Sequence, residues 1–174
     1  MSESVAISAL VERDWALLRE LRLRALSDAP DCFGPTVESA LAQPETYWRS
    51  WAGGRSGRIQ AWGAIDAGEP VGLVSGGANA SRVGHFGALW LDPGYRRNGL
   101  GRLLTETVCD WMESRGCTRL ELEVTEDNPA EHLYRSMGFA RTGARQPLRE
   151  GSALFEVTMA RERPQGPSAG LRSG

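Results

Sequence analysis

A chain of 174 residues, 41% apolar and 24% charged, is long enough to bury a sound core and has the composition of an ordinary globular protein. Its net charge is −2 and its arginines are scattered rather than striped, which removes the electrostatic footprint of a nucleic-acid binder. All 20 basic residues are arginine, so Schiff-base, pyridoxal-phosphate and P-loop chemistry, each of which needs a lysine, are excluded.

The N-terminal stretch carries Glu3 and Glu12 without an apolar core, so no signal peptide is expected. Val5-Ala6-Ile7 reads as a short strand. Asp14 is placed to cap a helix whose stripe is Trp15, Leu17, Leu18, Leu21 and Ala25, ending near Pro30. Residues 31–44 read as loop, and a helix with Pro44 at its first position runs through Tyr47, Trp48 and Trp51 to Gly53-Gly54. Strands follow at 59–66, 71–78 and 83–91, the first two joined through Ala67-Gly68-Glu69-Pro70. The glycines of 72–77 and Gly87 predict bulges or close backbone approach.

A long helix over 99–115 presents Leu100, Leu103, Leu104, Thr107, Val108, Trp111 and Met112 on one face and ends at Gly116. A strand over 118–124 alternates Leu120, Leu122 and Val124 with Glu121 and Glu123. Asn128 then caps a helix with Pro129 at its first position and Tyr134 on its stripe, closed by Gly138-Phe139. A strand through about Arg141, a last strand over 153–159 and a disordered tail over 161–174 complete a single domain over 1–160. Strand 83–91, the long helix and strand 118–124 form a βαβ unit with parallel strands. Ligands bind beyond the carboxyl ends of such strands, which gathers Leu91, the 96–101 turn, Val124 and Asn128 around one crevice.

No apolar run reaches the length of a membrane span. Cys32, Cys109 and Cys117 form no CxxC pair, and with only His85 and His132 beside them no metal site is expected. They read as small buried hydrophobes in a reducing compartment, hence a cytoplasmic location. The two histidines read as ordinary surface or edge residues.

The turn Arg96-Arg97-Asn98-Gly99-Leu100-Gly101 stands where a helix begins. Unpaired N–H groups and the helix dipole favour an anion there, and glycine lets a phosphate approach the backbone. With Leu91-Asp92-Pro93 before it, the strand Leu120 to Val124 after it, and Leu133-Tyr134-Arg135-Ser136-Met137-Gly138-Phe139 further on, the chain resembles the GNAT family of N-acetyltransferases over roughly residues 83–140. The signature Arg/Gln-x-x-Gly-x-Gly/Ala is filled by Arg96, Gly99 and Gly101. A dinucleotide-binding turn is not supported, because Leu104 stands where a third glycine is needed.

The resemblance implies an α/β acyl-CoA N-acyltransferase fold: a mixed, mostly antiparallel sheet with a central parallel βαβ unit and helices on both faces. It implies acetyl-CoA as donor, bound by the motif that opens at Arg96, its pyrophosphate on the backbone N–H groups of about Arg97, Asn98, Gly99, Leu100, Gly101 and Arg102, and its pantetheine arm along Leu89, Trp90 and Leu91, with a contact to Asn128. Tyr134 would protonate the leaving thiolate. Glu123, or Glu121 or water, would take the amine's proton, because a carboxylate on a covered central strand is pushed toward the neutral form. Phe33, Trp48 and Trp51 lie on segments that form the family's acceptor wall. The step from Asn128 to Tyr134 is shorter than is usual in the family. The implied activity is transfer of an acetyl group to a primary amine on a small molecule or peptide, without nucleic acid or membrane. Acceptor and oligomeric state, a homodimer among the options, stay open. A non-catalytic acyl-CoA sensor is the alternative reading.

Overall fold

The computed structural model describes residues 5–163. Seven strands form one sheet in the order β1-β2-β3-β4-β5-β7-β6: β1 Ala6–Ala9, β2 Ile59–Asp66, β3 Glu69–Ala78, β4 Val83–Leu91, β5 Arg119–Thr125, β6 Ala140–Pro147 and β7 Phe155–Glu162. Every neighbouring pair is antiparallel except β4 and β5. The helices are α1 Trp15–Asp28, α2 Val37–Leu41, α3 Glu45–Ala52, α4 Leu100–Ser114 and α5 Ala130–Ser136. The expected α/β sheet with its central βαβ unit is present.

Each face of the sheet has its own core. Leu18 and Leu21 of α1 and Trp48 of α3 pack with Ala61, Leu73 and Trp90. On the other face, α4 and α5 pack over Val74, Phe86, Leu120, Leu122 and Met159. None of the helices among the described residues is long and apolar enough to cross a membrane.

Local chemistry accounts for the element boundaries. The β2–β3 hairpin turns through Ala67 and Gly68, both at positive φ, the backbone of a two-residue turn that follows the strand twist. Asp14 stands at the start of α1, but its carboxylate accepts from the Val11 amide and so braces the preceding 3-10 turn. Pro44 is the residue before α3 rather than its first. The stretch read as loop holds α2, begun by a reciprocal Thr36–Ser39 cap.

Other expectations are corrected. The buried face of α4 is Leu100, Leu104, Thr105, Val108, Cys109 and Met112, whereas Leu103 is exposed. Thr105 can be buried because its hydroxyl donates to the Gly101 carbonyl. β6 runs on to Pro147, with all eight residues exposed and a register shift between Arg141 and Arg145; an edge strand of this kind carries no apolar alternation to read. β7 continues to Glu162, past the expected start of the tail at 161, and the rest of that tail lies outside the described residues.

The strand glycines answer mainly to α4. A Cβ on Gly76 would stand 2.4 Å from Cγ2 of Val108, and one on Gly84 2.6 Å from Sδ of Met112. Their absence lets helix and sheet approach closely. Gly87, by contrast, has nothing within 4 Å of the place its Cβ would take. Gly76→Ala should therefore lower stability by about 1–3 kcal/mol through overpacking against a stiff valine, read as a lower urea midpoint. Gly87→Ala should stay within about 0.5 kcal/mol of the parent protein in the same measurement.

Candidate active site

The site begins with a failure of pairing. β4 and β5 pair only over Val83 to His85 against Arg119 to Glu121. Beyond that, β4 is bent by a bulge: Ala88 and Leu89 oppose the single residue Val74, with Ala88 at φ 56°. The β5-facing edge of β4 from Phe86 to Leu91 is left without a strand partner. Between the diverging strands lies a cleft of about 690 Å³. Its lining includes Leu89, Trp90, Leu91, Arg96, Arg97, Gly99, Gly101, Arg102, Glu123, Asn128 and Tyr134. Of the residues expected to bind the donor, Asn98 and Leu100 do not line it. The Asn98 side chain accepts from the Leu100 amide, and Leu100 is buried in the core.

At one end of the cleft the turn delivers α4. Gly99 sits at φ 91°, a conformation that favours glycine, and Arg97 precedes it at φ 62°. Among the described residues the Gly101 and Arg102 amides find no acceptor, as expected at a helix start. Among the described residues, nothing beyond its chain neighbours lies within 4 Å of a Cβ built on Gly99, and Gly101 and Arg102 line the cleft, so an anion can reach these donors. The turn is anchored by Arg96, whose Nε donates to the Leu91 carbonyl at 3.0 Å and whose guanidinium is bonded to Asp28. The Trp90 indole N–H also donates to Asp28, at 2.9 Å. These two donors, the indole foremost, hold the Asp28 carboxyl below its usual range.

Tyr134 stands at the base of the cleft, 6% exposed, edge-on to Phe86 and Phe139. Its hydroxyl has no hydrogen-bond partner among the described residues, and burial pushes its pKa upward. α5 is pinned beneath it by Glu131, which accepts from Arg135 and Arg141. Pro129, like Pro44, stands just before its helix rather than at its first position; from one residue further back the Asn128 Oδ1 accepts from the Ala130 amide at 2.9 Å, while its Nδ2 turns toward the Cys32 sulfur at 3.4 Å.

Glu123 departs from its expected setting, whereas His85 is a surface residue as expected. The Glu123 side chain is 28% exposed rather than covered, and its Oε2 lies 2.6 Å from Nε2 of His85. Glu121 is engaged by Arg119 at 2.6 Å. His85 does not line the cleft but adjoins it through Glu123, and its pKa is raised, first by the hydrogen bond to Glu123. A signal existed: His85 and Glu121 are partners in the parallel register, so a strand alignment places His85 beside both carboxylates.

Cys32 is also corrected. It is exposed and lines the cleft, whereas Cys109 and Cys117 are buried. Of the aromatic residues expected at the acceptor wall, Phe33 lines the cleft, while Trp48 is sealed in the core at 1% exposure. Trp51 donates to Ser75. Behind Phe33 lies buried Arg22, 4.7 Å from the Phe33 ring centroid and 6.0 Å from that of Trp51. Burial lowers the pKa of Arg22 to about 10, so it remains charged at neutral pH.

Residues 18–139 match the model of the acetyltransferase (GNAT) family. The N-alpha-acetyltransferase RimI of Mycobacterium tuberculosis is 30% identical over 169 residues, covering 92% of this chain and 94% of that protein. Streptothricin acetyltransferase of Streptomyces lavendulae is 47% identical over 62 residues, 35% of this chain; that match spans only 33% of the streptothricin enzyme. The solved structure of the PaiA N-acetyltransferase of Thermoplasma acidophilum in complex with coenzyme A superposes with a TM-score of 0.65 at 19% identity, covering 91% of this chain and 99% of that one.

The His85–Glu123 pair has a measurable signature. The His85 imidazole should titrate above the ordinary value of about 6.5, and Glu123→Gln should move it down, as followed by NMR. A raised folded-state pKa contributes stability that is fully present below the unfolded value and lost as pH rises through the folded one. The stability lost in Glu123→Gln should therefore be larger at roughly pH 5.5 than at roughly pH 8.5.

Proposed function

Because the chain belongs to the GNAT family of acetyltransferases, we propose that it transfers the acetyl group of acetyl-CoA directly to a primary amine, both reactants being held in the cleft between β4 and β5. The observation that carries this reading is the pairing of two unsatisfied elements in one cleft. Unpaired α4 amides stand at one end, and a buried, partnerless phenol lies at the base.

The residues present fit the donor. The Gly101 and Arg102 amides would hold its pyrophosphate, with Arg97 and Arg102 supplying positive charge. The unpaired edge of β4 over Leu89 to Leu91 would hydrogen-bond the pantetheine arm as an added strand does. Bound there, acetyl-CoA supplies an activated acyl group.

Holding both reactants together removes much of the entropic barrier. A backbone N–H near Leu91 stabilises charge on the thioester oxygen. Glu123, working as a unit with His85, accepts the proton released as the amine attacks; Tyr134 directs its hydroxyl at the departing sulfur and gives it a proton. Burial keeps Tyr134 protonated through neutral pH, as a donor must be. Asn128, occupied with capping α5 and with Cys32, contributes to the pantetheine site mainly by fixing where α5 begins. The same reading places the protein in the cytoplasm, a reducing compartment that suits its free cysteines.

A thiol-release assay with acetyl-CoA and a panel of amines tests this: amino acids, diamines, peptide N-termini and streptothricin. At least one class should release coenzyme A. Acetyl-CoA binding without release from any amine would favour a sensor instead. Tyr134→Phe should lower kcat by about 10²-fold or more, while the Kd for acetyl-CoA, measured by calorimetry, stays within about threefold. Unchanged turnover would remove Tyr134 from the mechanism.

A further inference from the structure

The chain leaving α1 crosses the cleft. Residues 30–34, a 3-10 turn at Pro30–Cys32 followed by Phe33 and Gly34, join α1 to α2, and both helices belong to the β1–β4 half of the sheet. The hydrogen bonds of this segment run to the other half. Arg149, in the loop between β6 and β7, donates to three of its carbonyls: Pro30 at 2.9 Å, Phe33 at 3.2 Å and Gly34 at 3.3 Å. The Thr125 hydroxyl at the end of β5 donates to the Asp31 carbonyl at 3.0 Å, and the Asn128 amide reaches the Cys32 sulfur. Gly34 passes so close to the loop that a Cβ on it would stand 3.2 Å from the Leu148 carbonyl oxygen.

The loop that carries Arg149 is itself firm. Leu148 is 4% exposed, its amide donates to the Leu154 carbonyl at 2.9 Å, and the Ser152 amide donates to the Arg149 carbonyl at 3.0 Å. At its root the crossing segment is fixed by Asp28, held by Trp90 and Arg96. Two of its members, Cys32 and Phe33, line the cleft.

We infer that Arg149 is a positioning residue: by gathering the carbonyls of Pro30, Phe33 and Gly34 from across the cleft, it holds segment 30–34 as the wall against which the acceptor is placed. A guanidinium suits the task. Its planar fork offers five donors in fixed directions, so one side chain can engage three carbonyls that belong to no regular element. An ammonium on a flexible stem does this less well. Thr125 and Asn128 hold the middle of the segment, so the wall turns on its Arg149 end.

That this wall serves the acceptor rests on the proposed acetyl transfer; that Arg149 holds it does not, and the two are read separately. Cys32 reports the wall directly, because it lies on the segment and Cys109 and Cys117 are buried. Iodoacetamide alkylation of Cys32, followed by peptide mass spectrometry on the full chain, should be at least about tenfold faster in Arg149→Met than in the parent protein. Arg149→Lys should fall between the two, with Cys109 unlabelled throughout. Arg149→Met should raise KM for the best amine of the panel by about tenfold or more, with kcat and the acetyl-CoA Kd within about threefold.

Alkylation of Arg149→Met at the parental rate overturns the inference. If that variant does not fold, Arg149→Lys alkylated at the parental rate overturns it as well. Faster alkylation with an unchanged amine KM also overturns it, because the wall would then move without consequence for the acceptor. If the parent protein turns over no amine, the acetyl-transfer reading fails, and the alkylation rates alone decide whether Arg149 holds the wall.

Discussion

The functional architecture depends on where two parallel strands stop pairing. β4 and β5 share three residue pairs and then separate. Separation leaves backbone donors and acceptors facing a gap, and such groups are costly unless water or a ligand engages them. The bulge at Ala88 and Leu89 makes the parting local. It lets β4 keep its bonds to β3 at Leu73 and again at Ser75 while its other edge turns away. The crossover helix then begins beside the gap, so the unpaired amides of α4 and the unpaired edge of β4 face one space.

A second constraint follows from the first. A gap between strands in mid-sheet opens the cores on either side, and something must seal them without filling the cleft. Phe86, Tyr134 and Phe139 do so on one face, meeting edge-on with ring centroids 5.7 to 6.3 Å apart. Phenylalanine at 134 would seal that face equally well. A tyrosine there places a hydroxyl at the base of the cleft with no partner among the described residues, a disadvantage to stability that the proposed ligand-facing role would explain. On the other face, residues 30–34 span the gap, and their bonds run across it rather than along it.

What was legible in the sequence was what is local in it. The turn at 96–101, the α4 start and the strands at 59–66 and 83–91 each depend on neighbours a few residues away, so glycine placement and apolar alternation sufficed. Tyr134 was legible through its surrounding segment. The His85–Glu123 pair was not, because its partners are 38 residues apart and meet only through strand register. Arg149 was still less so: its acceptors lie 115 to 119 residues away and are carbonyls, which leave no mark on residue type. The α4 face was misjudged where a polar residue, Thr105, satisfied itself within the helix and entered the core. Arg22 escaped notice for a related reason, since aromatic faces accommodate a buried guanidinium that a hydropathy pattern reads as exposed.

The same distinction separates the two halves of the proposed reaction. The donor side is one continuous stretch whose backbone geometry serves the same ligand chemistry whatever the acceptor. The proposed acceptor side would be assembled from the 30–34 crossing, the β6–β7 loop and the face of β5, and segments of this kind vary while the scaffold stays fixed. The face of β5 also carries a charge pattern with a chemical consequence. His85 lies 2.6 Å from one glutamate oxygen and 3.9 Å from another, and Glu156 adds to the field that favours its charged form. An imidazolium bonded to Glu123 occupies one lone pair of its Oε2 and leaves the other carboxylate oxygen open. In the proposed reaction, release of the imidazole's own proton would add a second acceptor beside Glu123. The proposed acceptor chemistry would in this way be coupled to the raised pKa of His85, which is set by residues on two strands that no longer pair beyond it.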